Sequence, residues 1–140
     1  MKKSKDFLRE AEEHFMTADH VFRITYPMLK DKRLIFSIVQ NLYNSSLNAL
    51  HFLLYYENLY KQIDISQISD FELRYKYLIK KLKLLLEKHM NSNVEILRKD
   101  KLVIPNDDYS ELEIIDDSKL ENHLNDARKL LEVVKQLNDR

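Results

Sequence analysis

The five histidines are the side chains of this sequence best suited to bind a metal ion or to transfer a proton near neutral pH. Two-metal sites in helical proteins use a glutamate three residues before a histidine, because that spacing places both ligands on one helix face. The residues three positions before the histidines are instead Ala11, Thr17, Asn48, Leu86 and Leu120. A His-Glu-x-x-His zinc motif is also absent from the sequence. The sequence therefore predicts no metal site, and we expect no cofactor.

The absence of cysteine and glycine excludes further kinds of chemistry. Without cysteine there are no disulfides, thiolate metal ligands or cysteine nucleophiles, and this composition fits a reducing cytoplasm. Without glycine, a Walker or Rossmann phosphate loop cannot form. Helix ends must also do without the residue that takes positive φ most easily, and asparagine is the usual substitute. Four asparagines follow helical patterns and are predicted to end helices: Asn58, Asn91, Asn93 and Asn106.

Residues 34–56 form a run of 23 positions without a formal charge, yet they include many polar side chains. When the residues are placed at 100° per residue, one face of the helix is polar. This polar face is a candidate binding or interface site and carries Asn41, Asn44, Asn48, His51 and Tyr55. It could contact another helix, within the fold or across a dimer axis; it could face solvent; or it could contact a ligand or nucleic acid. Eight polar residues in the run argue against a membrane span.

A basic cluster occupies the middle of the sequence. The whole chain balances 23 basic and 23 acidic residues, so any attraction to nucleic acid must be local. The candidate phosphate contacts in the cluster are Lys80, Lys81, Lys83, Arg98, Lys99 and Lys101. Residues 106–117 carry six acidic residues and no basic residue. Pairing between the basic and acidic clusters, within or between chains, is therefore the alternative to phosphate contact.

Apolar periodicity predicts two helices in the first half of the chain. The first begins at a Ser4 N-cap and ends near Ile24, because the residue before Pro27 is biased away from helical conformation. The second extends from about Arg33 to Tyr60. At nearly thirty residues it is long for a helix of a globular protein.

Two more helices are predicted in the second half. The third follows N-caps at Ser69 and Asp70 and ends near Met90. The fourth begins at Asp117 or Ser118, where Ser118-Lys-Leu-Glu121 has capping-box form, and fills the C-terminus. Between them, residues 92–117 are predicted to form a short extended arm or β-hairpin. A short helical turn at 94–98 is the competing interpretation.

Four amphipathic helices in one small chain predict a mainly α protein, a four-helix bundle forming a single domain over residues 1–140. The long second helix and the arm between helices 3 and 4 are its distinguishing features. Acidic residues follow the basic N-terminus before any continuous apolar segment, so no secretion signal is expected. We therefore predict a cytoplasmic protein without a membrane partner.

Three stretches resemble the HEPN superfamily of prokaryotic small helical-bundle proteins. They are "DFLREAEEHFMTADHVF" as a first helix, "RLIFSIVQNLYNSSLNALHFLLYY" as a long second helix, and "KLENHLNDARKLLEVVKQL" as a terminal helix. The resemblance covers most of the chain except the arm. It implies a homodimer and, for many members of the superfamily, RNase activity through an Arg-x4-6-His motif in the C-terminal half.

Only Arg9 and His14 match the spacing of that motif, and they lie on the first helix instead. The two side chains point about 140° apart on a continuous helix, and Glu12 and Glu13 would repel RNA phosphate. The leading hypothesis is thus a non-enzymatic, homodimeric binding module whose partner is RNA, a nucleotide or another protein. The alternative is a metal-independent RNase in which Arg9 holds phosphate and His14 acts as acid or base.

Overall fold

Helices make up most of the computed structural model, which describes residues 4–60, 78–88, 96–98, 101–105 and 112–138. The helices are α1 (Ser4–His20), a π-helical segment (Val21–Thr25), α2 (Tyr26–Leu29), α3 (Lys32–Tyr60), α4 (78–88) and α5 (Asp117–Asn138). The strands are β1 (Ile96–Arg98), β2 (Lys101–Pro105) and β3 (Leu112–Ile115). The predicted mainly α class and helical-bundle architecture are confirmed.

The first helical segment continues past the predicted end near Ile24, so that prediction is wrong. The π-helical segment carries the chain into α2, with the Tyr26 N–H bonded to the carbonyl oxygen of Val21. Pro27 then lies in the first turn of α2, where an amide hydrogen is not needed for an intrahelical bond. The π turn thus moves the proline from a position that would break the helix to one that begins a new turn.

Lys30 ends α2 in the left-handed region, at φ 52° and ψ 30°. Its N–H donates to the carbonyl oxygen of Tyr26 at 2.8 Å, which closes the last turn. A Cβ makes this conformation unfavourable, so a lysine here carries a cost that glycine would avoid. The predicted helix-ending role of Asn58 is wrong, since Asn58 lies within α3. Asn91, Asn93 and Asn106 lie outside the described residues.

The long second helix is confirmed as α3, which starts one residue before the predicted Arg33. Asp31 caps it: the Arg33 N–H donates to Oδ1 of Asp31 at 2.9 Å. The Arg33 guanidinium also donates to both carboxylate oxygens of Asp31, at 3.1 and 2.7 Å to Oδ2 and 3.2 Å to Oδ1. These side-chain hydrogen bonds, followed by the backbone one, lower the pKa of Asp31.

The third and fourth predicted helices correspond to α4 and α5. The predicted caps Ser69 and Asp70, like the predicted end at Met90, lie outside the described residues. The start of α5 at Asp117 is confirmed, but its N-cap is Asp116. The Oδ1 atom of Asp116 accepts from the Lys119 N–H at 2.8 Å, which is the bond that a capping residue makes with the third helical position.

The region between α4 and α5 contains a three-stranded antiparallel sheet in the order β1-β2-β3. Ile96 pairs with Val103, and Leu102 pairs with Ile115. The described residues therefore form one strand more than the arm or simple hairpin expected from the sequence. Residues Ile96–Arg98 are extended, so the competing helical turn at 94–98 is wrong.

One hydrophobic core joins the helices to the sheet. Ile104 of β2 and Ile115 of β3 are buried in the same cluster as the apolar faces of the helices. The helices contribute Ala11, Ala18, Ile35, Ile38, Val39, Leu42, Leu78, Leu82, Leu85, Leu120, Leu124, Ala127, Leu131 and Val134, among others. The amphipathic stripes seen in the sequence therefore converge on one interior.

We expect Lys30→Gly to give a more stable protein than Lys30→Ala. Both substitutions remove the lysine side chain, so the comparison isolates the backbone conformation. Glycine adopts the left-handed region without a Cβ clash, and the free energy of unfolding should be about 0.5–1 kcal/mol higher than for the alanine variant. Urea denaturation measures the difference. Equal stabilities would contradict a left-handed residue at this position.

Candidate functional site

Three contacts place α1 antiparallel against α3. Ser45 Oγ donates to the carbonyl oxygen of Ala11 at 2.7 Å in the buried interior. At one end of this α1–α3 seam, the rings of Phe7 and His51 meet edge to face with centroids 5.5 Å apart. At the other end, His14 lies beside Asn41. The buried side chains at the central contact are small, which lets the two backbones approach closely.

Asn41 connects the two helices at the half-buried edge of the seam. Its Oδ1 lies 3.0 Å from Nδ1 of His14, and its Nδ2 donates to the carbonyl oxygen of Ser37 at 2.9 Å. Because the amide oxygen accepts, Nδ1 of His14 is the donor in this arrangement. The amide therefore positions the imidazole ring through a bond between α1 and α3.

The other residues of the predicted polar face do not converge on one point. Asn44 and Asn48 are half-buried, and Nδ2 of Asn48 donates to the Asn44 carbonyl oxygen at 2.8 Å. His51 is exposed apart from its contact with Phe7. The side chain of Tyr55 is outside the described part of the structure. The contacts that the structure places on this face are thus a helix packed against it and bonds within α3.

Arg9 and His14, the pair that matches the RNase motif, are held by different groups. The Arg9 guanidinium is exposed and lies 3.3 Å from a carboxylate oxygen of Glu13 and 3.7 Å from one of Asp6. His14 instead faces Asn41 on α3. A phosphate approaching Arg9 would meet two carboxylates, which repel it. The geometry does not bring this pair together around one substrate atom.

A charged network links α1 to α5 and was not expected from the sequence. Arg23 donates to Asp19 at 2.8 Å and to Glu121 at 3.0 Å. The hydrogen bond to Asp19, then that to Glu121, raises the pKa of Arg23. The Arg128 guanidinium lies 3.6 Å from Asp19 and also covers the Phe15 ring. The two helices are about a hundred residues apart in the chain, so only the fold could reveal these partners.

The predicted basic cluster is described in part. Lys80 and Lys83 are exposed on α4, and Lys81 is half-buried. Arg98 lies in β1 and Lys101 in β2, but their side chains are outside the description, as is Lys99 entirely. Of the lysines of this cluster whose side chains are described, two are exposed on the surface and Lys81 turns toward the interior.

Lys81 lines a pocket of about 190 Å³ between α4 and α5. We call it the α4–α5 pocket; it is lined by Lys81, Leu84, Leu85, Lys88, Lys119 and His123. Residues 81, 84, 85 and 88 share one face of α4, while 119 and 123 share one face of α5. His123 is only 4% exposed. His123 lies three residues after Leu120 and four before Ala127, which places it on the apolar stripe of α5. This spacing is the sequence signal that could have identified His123 as a buried residue.

Comparison with known proteins adds no relative: no family model, curated protein or solved structure matches the chain. The HEPN resemblance therefore stays a prediction from the sequence. Within the described ranges, no group of three or more histidine or acidic side chains is placed to hold a metal ion. Nor does any helix in those ranges combine the length and apolar character needed to cross a membrane.

We expect Ser45→Leu to destabilise the fold by about 1–3 kcal/mol, because the larger side chain would force α1 away from α3. Gln40→Leu is the matched control: it makes the same kind of change at an exposed position of the same helix. That control should change the free energy of unfolding by less than about 0.5 kcal/mol. Urea denaturation of both variants checks the prediction, and equal effects would contradict a close helix contact at Ser45.

Proposed function

We propose that this protein is a non-enzymatic, HEPN-like, homodimeric binding module of the prokaryotic cytoplasm that contacts RNA phosphates through α4. The observation that carries the proposal is the pair of exposed lysines, Lys80 and Lys83, on one side of that helix. Spaced three residues apart, they lie about 60° from each other around the helix axis. Two ammonium groups on the same side can follow successive phosphates of a nucleic-acid strand.

Local charge supports this assignment even though the chain has no net charge. Residues 80–88 contain four lysines and one acidic residue, Glu87. Within a Debye length of about 10 Å at 0.1 M salt, a phosphate near α4 therefore experiences the local positive charge more than the balanced whole. Binding of this kind is independent of base sequence and depends strongly on salt concentration. An open helix surface suits a polymer better than an isolated nucleotide, which needs enclosing walls.

The non-enzymatic part of the proposal rests on the surroundings of Arg9 and His14. Arg9 is paired with Asp6 and Glu13, and His14 faces Asn41. An RNase of the proposed alternative type would need both groups at one phosphate, with His14 able to exchange a proton with the substrate. Their separate contacts favour a binding role over the RNase alternative.

The non-enzymatic assignment predicts that mixed RNAs stay intact when incubated with the protein in EDTA. His14→Ala serves as the comparison, since it removes the proposed acid or base without touching α4. Gel analysis of the RNA measures cleavage. Reproducible cleavage by the wild type that disappears in the His14→Ala variant would establish the RNase alternative.

Replacing Lys80 and Lys83 together by alanine should weaken RNA binding and reduce its salt dependence. For a single strand, the slope of log K against log salt should fall by roughly 0.7 for each phosphate that the variant no longer binds. Lys32 and Lys129, exposed on α3 and α5, provide the matched double-alanine control with the same change in net charge. Fluorescence anisotropy over a series of salt concentrations measures both slopes. Equal reductions in the two variants would refute an RNA surface on α4.

The homodimer part of the proposal is supported by large apolar side chains near α2. Ile24 is 52% exposed, Met28 77% and Leu29 64%. Ile24 and Met28, four residues apart, project from the same side of the helical path. A two-fold axis would bring this patch against its own copy, and a net charge of zero leaves little long-range repulsion between chains. The patch is a second candidate dimer surface, in addition to the polar face of α3, part of which α1 already covers.

Light scattering is expected to give about twice the 16.9 kDa mass of one chain. Met28→Glu should shift the mass toward one chain, because two carboxylates would be forced together near the two-fold axis. Thr17→Glu adds the same charge at an exposed polar position of α1 and should leave the dimer intact. A wild-type monomer at every concentration would contradict the proposal, as would equal dissociation in the two variants.

A further inference from the structure

We propose that the α4–α5 pocket binds the phosphate of a compact phosphomonoester, a small molecule separate from the RNA of the proposed function. Helix α4 supplies Lys81 and Lys88 to the pocket, and α5 supplies Lys119 and His123. Among the described residues, the four polar side chains that line it carry nitrogen groups, and none carries a carboxylate. Ammonium groups and an imidazole N–H donate hydrogen bonds, which matches the three acceptor oxygens of a phosphate group.

The location of Lys119 is a second observation that favours an anion. It occupies the third position of α5, a helix of 22 residues, where the positive end of the helix dipole disfavours a lysine. The helix end itself is already capped by the Asp116 carboxylate, so the attraction for an anion in the pocket comes from the lysine side chains. A residue that opposes local helix preferences but lines a pocket is typical of a functional position.

His123, on the same wall of the pocket as Lys119, strengthens the inference. Its ring is buried on the apolar stripe of α5, one helical turn after Lys119. Electrostatic attraction is screened less in such a buried environment than at the open surface. The imidazole therefore lies where a hydrogen bond to an anion would contribute more than it does on the exposed side of α4.

Size and walls restrict the ligand. The cavity of about 190 Å³ is smaller than the roughly 300–1,000 Å³ of pockets that enclose drug-sized molecules. It suits a phosphate together with a small organic group. Leu84 and Leu85 provide apolar wall beside the nitrogen groups, so an ester with a hydrocarbon portion should bind more tightly than inorganic phosphate.

Isothermal titration calorimetry with inorganic phosphate and phenyl phosphate, at constant ionic strength, tests the site on the full chain. Phenyl phosphate should bind at least about fivefold more tightly than inorganic phosphate. Lys119→Met and Lys88→Met should each raise the Kd for phenyl phosphate about tenfold, since each removes one charged hydrogen-bond donor. Lys129→Met is the matched control, because it removes an exposed lysine of α5 that does not line the pocket, and should leave the Kd within about twofold.

Lys88 is exposed, so its variant keeps the experiment decisive if Lys119→Met does not fold. No heat of binding at millimolar phenyl phosphate would overturn the proposal, and so would equal weakening in Lys129→Met and Lys88→Met. A 5′-phosphorylated RNA that displaces phenyl phosphate, when its 5′-hydroxyl counterpart does not, would assign the monoester to an RNA end and overturn the small-molecule ligand. The Lys80 and Lys83 double variant should lose RNA binding and keep phenyl phosphate binding. That result would show that the pocket and the RNA surface are two different sites.

Discussion

The Ser45 hydroxyl donates to the carbonyl oxygen of Ala11, a bond that requires the backbones of α1 and α3 to approach closely. Both residues are almost fully buried, so the contact belongs to the interior and not to its edge. Around it, the Phe7–His51 ring contact and the His14–Asn41 hydrogen bond set the antiparallel direction of the two helices. This seam gives α5 a fixed surface on which to pack, and the charged network through Arg23 then connects α5 to α1.

The helix ends that the structure describes depend on capping side chains and, at Lys30, on a left-handed backbone conformation. Asp31 and Asp116 begin α3 and α5 by accepting backbone N–H groups. At the end of α2, Lys30 takes the left-handed conformation that glycine would take at lower cost. The preceding π-helical segment shifts the phase of the helix, which is consistent with Ile24 and Met28 facing away from the core.

The two candidate phosphate surfaces differ because α4 has two sides. Lys80 and Lys83 face solvent, where screening by salt makes each contact weak and additive. Lys81 and Lys88 face a pocket whose other wall is α5. A polymer with many phosphates can use the first arrangement, whereas a single phosphate needs several donors around one point. The two proposals therefore use different sides of the same short basic segment.

The sequence by itself determined the mainly α class, the long helix α3 and the start of α5, because local periodicity and capping residues depend on neighbours in the chain. It also marked Asn41, Asn44 and Asn48 as an uncharged polar face. Only the tertiary structure decided that α1 covers part of that face, and that Pro27 follows a π turn instead of ending a helix. It alone brought Lys119 and His123 beside Lys81 and Lys88. Contacts between residues so far apart in the chain depend on how the helices pack together, and local sequence patterns do not contain that information.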